Sequence, residues 1–289
     1  MNSDKRNKAV RNLMEKKESG KGKRNIYLIL TVLFGIGFVV SAGFFIRGEL
    51  VKKNANNQYQ ELAESVLSTE QTAIENSNIA TEELGGLKEL GITVPELKLD
   101  WNVLEEQNDD IYSWIYIPGT NVNYPVLQHE TENDYYLDRN LDHSQGLPGC
   151  IYTQKLNSLD YLDRNTVLYG HNMKDGTMFK TLHNYSDRVF FNENRYIYIY
   201  TPEKVLAYEI YGACEISNAH LLYKYDFTTN DGVTEFLGDL AAERGMSNQI
   251  SEKVEVGEDA RVITLSTCIS SKPNNRWIVV GVLLGEEEL

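Results

Sequence analysis

The stretch Arg261-Val262-Ile263-Thr264-Leu265-Ser266-Thr267-Cys268, followed after seven residues by Arg276-Trp277-Ile278-Val279-Val280-Gly281-Val282, decides the fold of this 289-residue chain. Both runs are dense in β-branched residues and short, so they read as two strands. Side chains alternate faces along a strand. Val262, Thr264, Ser266 and Cys268 therefore share one face of the first, and Arg276, Ile278, Val280 and Val282 share one face of the second. A hairpin with a loop over 269–275 brings a guanidinium beside a thiol at the mouth of a sheet or barrel. On spacing alone, an ordinary edge cysteine and a solvated arginine fit the same pattern.

Working upstream, further strands are expected at 113–117, 124–128, 149–153, 166–169, 195–200 and 205–216, which with 261–266 and 276–284 makes eight. The first stops at Pro118-Gly119-Thr120, and 124–128 reads as its hairpin partner. Thr201-Pro202-Glu203-Lys204 is a tight turn, and few connections have room for a full helix, which favours an antiparallel or mixed barrel over βαβ repeats. The exception is the long insert between 216 and 261. Within it 233–244 (VTEFLGDLAAER) places Phe236, Leu237, Leu240 and Ala241 at helical spacing. A second amphipathic helix is expected over 99–112.

Charge separates the chain into regions. The whole carries 28 Lys and Arg against 42 Asp and Glu, a formal −14, which argues against nucleic acid as a partner, because such binding needs cations to displace counterions. The first 24 residues nevertheless hold nine bases against three acids. Residues 26–46 (IYLILTVLFGIGFVVSAGFFI) then run uncharged, long enough at about 1.5 Å per residue to cross a hydrocarbon core of about 30 Å. A basic flank before a span predicts a cytoplasmic N-terminus and an exported body. The rival reading is a cleaved signal peptide ending near Val40-Ser41-Ala42; either way the body is exported. Residues 47–97 are polar and read as a partly helical stalk, which gives a basic tail (1–25), an anchor (26–46), a stalk (47–97) and a globular domain (98–289).

The three cysteines, Cys150, Cys214 and Cys268, cannot all pair in an exported domain, so at least one is left without an intramolecular partner. Another chemically suggestive element is Leu168-Tyr169-Gly170-His171-Asn172-Met173. There a strand ends, Gly170 permits a sharp turn, and Asp175 is placed to cap a short helix through Thr177, Phe179 and Leu182. A histidine at such an edge can exchange protons near neutral pH, although a lone histidine is more often structural.

Taken together, Thr264-Leu265-Ser266-Thr267-Cys268 with Arg276, and Tyr169-Gly170-His171-Asn172 before them, resemble the signature of sortases, the cysteine transpeptidases of Gram-positive surfaces. Class B is the nearest subgroup. It is resembled in the run 114–120 (WIYIPGT), in 123–128 (NYPVLQ), in Asn133 with Tyr135-Tyr136-Leu137, and in 171–179 (HNMKDGTMF). The resemblance covers about 101–284 and implies a mainly β fold: a closed eight-stranded barrel with an N-terminal helix and a helix inserted before the last two strands.

The resemblance also implies roles. Cys268 is the nucleophile on a Thr carbonyl of a C-terminal sorting signal, His171 the acid and base, and Arg276 the oxyanion partner, with Lys a poor replacement at position 276. Asn133, Leu137, Tyr169, Tyr223 and Ser266 line the signal groove, and Thr267 offers its backbone N–H. Ile269 stands where some class B members carry an acid, which removes a carboxylate contact there. No metal or other cofactor is implied. The partners are secreted proteins bearing the signal and an amine from a peptidoglycan precursor, at the cell membrane. Two alternatives are pilin polymerisation, with a pilin Lys as the amine, and a non-catalytic surface binding module. The second C-terminal span of some pilin-type enzymes is not expected, since the sequence closes on Gly285-Glu286-Glu287-Glu288-Leu289.

Overall fold

The computed structural model describes residues 3–67, 87–243, 245–257 and 259–289. The chain divides into two compact units, 1–50 and 51–289. Helix α1 (Ser3–Leu67) supplies the first. Its uncharged stretch is unburied, with Phe34 and Phe38 more than three-quarters exposed, and the segment Asn25–Ser65 is long and apolar enough to cross a membrane.

The second unit contains α2 (Trp101–Gln107), β1 (Ile111–Tyr116), β2 (Asn123–Leu127), β3 (Ile151–Thr153), β4 (Asn165–Tyr169), α3 (Arg188–Glu193), β5 (Tyr196–Tyr200) and β6 (Lys204–Ser217). After these come α4 (Leu221–Lys224), α5 (Asn230–Ala242), β7 (Gln249–Ile250), β8 (Val262–Ile269) and β9 (Lys272–Glu288). The strands hydrogen-bond in the order β5-β1-β2-β3-β4-β8-β9-β6, and β6 pairs back onto β5, closing an eight-stranded barrel; β7 is a two-residue addition on β6. The barrel is mixed, because β2–β3 and β4–β8 run parallel.

The period-two reading of the last hairpin explains how the layers form. Ile263, Leu265, Trp277 and Val279 point into the main core with Ile115, Val126 and Leu206. Their alternates Val262, Ile278, Val280 and Val282 form a second core with Leu221, Val233, Phe236, Leu237 and Leu240 of the insert. The insert helix therefore exists to cover one outer face of the barrel. It starts at Asn230, three residues before the expected position, because the Thr229 side chain caps it by accepting from the Gly232 N–H. Residue 244, in the expected helix, lies outside the described residues.

Two local expectations are corrected. Helix α2 is shorter than 99–112: Asp100 caps its start, and it stops at Gln107, where the Asn108 side chain accepts from the Asp110 N–H and Ile111 enters β1. Asp175 caps no helix. Its Oδ1 closes a turn on the Thr177 N–H and hydroxyl, and a 3-10 helix begins later, over Phe179–Ser186.

The region read as a stalk begins the compact unit instead of preceding it, in so far as it is described; residues 68–86, including Gly85-Gly86, lie outside the described residues. Ala55, Tyr59 and Leu62 form a single apolar stripe at i, i+4 and i+7 of α1, packed on the main core, and Leu87 and Ile92 are buried there too. The Tyr59 hydroxyl donates to Gly149 O (2.8 Å). A stripe only three residues long escapes notice between charged and amide neighbours. Tyr59→Phe, which keeps the ring, should lower unfolding free energy by about 1 kcal/mol in urea denaturation, and Tyr59→Ala by about 3 kcal/mol or more. A Tyr59→Ala protein as stable as the parent would place this part of α1 outside the cooperative unit.

Candidate active site

The site is built at strand ends. Cys268 and Arg276 are cross-strand partners in the β8–β9 ladder, and their alternates on either side place both on the outer face of the barrel. The connection is tighter than the expected 269–275 loop, because β9 already starts at Lys272, which pairs with Ile269. The three residues Pro273-Asn274-Asn275 form a bulge. Arg276 folds over it, with Nη1 donating to the carbonyls of Pro273 (3.1 Å) and Asn275 (3.0 Å).

All three cysteines are free, and only Cys268 is exposed. Burial pushes the Cys150 thiol up to about 12, against the opposing hydrogen bond from Tyr59, and burial also pushes Cys214 up to about 12.

Parallel pairing of β4 with β8 sets Tyr169 opposite Ser266, so two residues further along each chain come His171 and Cys268. The Gly170 N–H donates to Ser266 O (3.2 Å). Gly170 is required for space, not for a left-handed turn: a Cβ there would lie 2.5 Å from Ile151 Cδ1 and 2.7 Å from the Phe179 ring. The imidazole of His171 is held through Nε2, 2.7 Å from Leu137 O. A carbonyl can only accept, so Nε2 carries the hydrogen and Nδ1 is the nitrogen left to exchange a proton.

The loop after His171 is anchored along its length. His171 O accepts from the Phe179 N–H (3.0 Å), Met178 N–H donates to the Tyr124 hydroxyl (3.0 Å), and Asp175 Oδ2 takes both Lys52 Nζ (2.8 Å) and Asn56 Nδ2 (3.2 Å). Partial burial works against ionisation of Asp175, but Lys52 and the Thr177 donors outweigh it and hold the carboxyl at about 2.

A cleft of about 280 Å³ opens over these residues. Of the residues expected from the sequence, Cys268, His171, Arg276, Leu137, Tyr169, Ser266 and Thr267 line it together. Asn133 and Tyr223 do not line it. Asn133 Oδ1 accepts from the Lys155 N–H (3.2 Å), and Tyr223 is 70% exposed, with its ring packed 4.4 Å from that of His220.

Sequence reasoning missed the polar wall. His220 Nε2 meets Gln154 Oε1 (2.6 Å), whose Nε2 donates to Asp134 Oδ1 (2.9 Å), and Tyr152 lines the same wall. No local motif links these positions; only the adjacency of Asp134 to Asn133 pointed toward it.

Comparison with known proteins shows the family. The family profile of the sortase domain matches residues 115–284. Sortase B of Listeria monocytogenes is 27% identical over 251 residues, spanning 86% of this chain and 93% of that protein. Sortase B of Staphylococcus aureus is 31% identical over 183 residues, spanning 63% and 73%. Among solved structures, a Staphylococcus aureus sortase B–substrate complex superposes with a TM-score of 0.61 at 26% identity, covering 80% of this chain and 96% of that one. Clostridium perfringens sortase B gives 0.58 at 27%, covering 64% and 100%.

Two outcomes follow from the site's construction. Iodoacetamide at pH 8 should label native protein at Cys268 alone, because thiols held at about 12 present almost no thiolate there; peptide mapping that finds Cys150 or Cys214 labelled at a comparable rate would contradict their burial. Gly170→Ala should lower stability by about 1–3 kcal/mol through overpacking against Ile151 and Phe179, read by thermal unfolding.

Proposed function

The chain belongs to the sortase family as a class B member, and on that premise we propose that it cleaves a C-terminal sorting signal after Thr and joins the acyl group to an amine of a peptidoglycan precursor, with Cys268, His171 and Arg276 as its catalytic residues. The observation that carries this reading is the exposed Cys268 thiol on a strand position paired with Arg276, with His171 lining the same cleft.

The chemistry runs in two halves. Cys268 Sγ gives its proton to His171 Nδ1 and, as thiolate, attacks the Thr carbonyl carbon, and the oxygen gathers charge. Arg276 meets that oxyanion. Its Nη1 is anchored on Pro273 and Asn275, which leaves Nη2 and Nε as donors fixed in direction. Such a fixed donor supplies about 3 kcal/mol to a developing oxyanion. The C–N bond breaks as His171 gives its Nδ1 proton to the departing amine, leaving a thioester on Cys268. The incoming amine then loses a proton to the same nitrogen and attacks the thioester carbon. The amide forms and the thiolate is released.

The cleft residues Leu137, Tyr169, Ser266 and Thr267 hold the signal, with Asn133 and Tyr223 as outer contacts. The apolar part of α1 serves as the membrane anchor. The basic residues before it favour a cytoplasmic N-terminus, with the catalytic domain outside.

The test is to incubate the protein with a small library of Pro-containing sorting peptides, with and without an added amine, and follow intact mass. A thioester adduct on Cys268 is expected, absent in Cys268→Ala and converted to an amide product by the amine. Arg276→Lys should lower kcat/KM about 100-fold, the scale of a lost oxyanion donor. A folded protein that forms no adduct across the library would overturn the reading, and a product formed only with a pilin-like lysine amine would move it to pilus assembly.

A further inference from the structure

A second histidine reaches the nucleophile from behind. The carbonyl oxygen of Cys268 accepts two side-chain hydrogen bonds, from Asn172 Nδ2 (2.8 Å) and from His183 Nε2 (3.1 Å). This is the peptide at which β8 loses register, since Cys268 pairs with Arg276 while Ile269 pairs with Lys272. A bulge gives up regular ladder bonding locally, so the orientation of the peptide there must be set by something else.

Both donors belong to the segment that carries His171. Asn172 is its neighbour, bridged to Met178 across the loop and also donating to Ser270 Oγ (3.3 Å). His183 sits in the 3-10 helix Phe179–Ser186, its ring 5.8 Å from that of Trp277 at 23° between planes. Trp277 in turn donates Nε1–H to Leu182 O (2.8 Å), so the helix is tied to the hairpin at both Leu182 and His183. Half-burial lowers the His183 pKa, which keeps the ring neutral with its hydrogen on Nε2, facing the carbonyl.

We propose that Asn172 and His183 are positioning residues for acyl transfer, clamping the Cys268 carbonyl so that the thiol keeps its place relative to His171. The inference rests on Cys268 being the nucleophile. Both residues act through the Cys268 peptide, not on the reacting atoms. Without the clamp, rotation of that peptide carries Sγ sideways, and a misplacement of about 1 Å can cost about 100-fold in rate.

The experiment measures acylation of Cys268 by a sorting peptide in the full chain in detergent, alongside melting temperatures. His183→Phe keeps the ring beside Trp277 and removes the donor, His183→Gln returns an N–H near the same point, and Asn172→Asp keeps the shape and replaces the donor with an acceptor. His183→Phe and Asn172→Asp should each lower kcat about tenfold with KM unchanged, and the double variant should lose more than their product, because two donors share one acceptor. His183→Gln should recover to within about threefold of the parent.

Wild-type rates in both single variants, or a His183→Gln protein as slow as His183→Phe, would overturn the clamp. So would a loss of activity that tracks a fall in melting temperature in every variant, since that is scaffolding. If the parent itself forms no adduct on Cys268 while remaining folded, the assignment of the nucleophile fails, and the clamp fails with it.

Discussion

The register of β8 against β9 is the constraint on which the site depends. Cys268 opposite Arg276 is one pair in a ladder whose other members include Leu265 with Val279 and Ile263 with Gly281. Ile263, Leu265 and Val279 are completely buried in the barrel interior, and a slip of one residue would turn them out and drive Arg276 into the core. The apolar alternation therefore aligns the thiol and guanidinium with no direct bond between them. Close packing at Gly281, where a Cβ would meet Tyr208 Cβ at 2.9 Å, resists the same slip from the β6 side.

Parallel pairing of β4 with β8 does for His171 what antiparallel pairing does for Arg276. It brings together residues 97 apart in sequence, and it ends at Tyr169–Ser266, two residues short of His171 and Cys268, so both side chains emerge just beyond the last paired residues. Beyond the last ladder bond the backbone needs other partners. The chain supplies them with side chains: Tyr124 on Met178, Asn172 and His183 on Cys268, and Asp175 on Thr177. Binding chemistry sits on loops, but these loops are tied at nearly every turn to elements of the barrel.

What the sequence disclosed follows from how strongly each element repeats its pattern. Eight strands and the insert helix are legible because several β-branched or periodic residues agree within each. Periodicity placed Cys268, His171 and Arg276 near the ends of the expected strands, but it was the resemblance to sortases that gave them roles, since spacing alone fits an edge cysteine and a solvated arginine equally well. Elements with too few residues to show a period stayed hidden: β7 with two residues, α4 with four, and the three-residue stripe of α1 that buries Ala55 and Tyr59. Gly170 was placed correctly but for a different reason, since its neighbours Ile151 and Phe179 arrive from other parts of the chain. The wall of Asp134, Gln154 and His220 is a pure tertiary product, three polar residues from three segments joined by hydrogen bonds that no spacing announces.

The compact unit begins within α1, at Val51. The segment of α1 after Val51 packs Ala55 and Tyr59 into the main core, while an ion pair such as Lys52–Asp175, with side chains 24% and 32% exposed, contributes at most about 1 kcal/mol. Its importance lies in its location. Asp175 is in the loop that begins at His171, so the contact acts on the orientation of that loop more than on global stability. The sign of its pH dependence is fixed by the depressed carboxyl: the contribution is present above the ordinary aspartate value of 3.8 and is lost only as pH falls toward about 2. At neutral pH the carboxylate is ionised, so the tie between α1 and the loop that begins at His171 stays in place and loosens only in strong acid.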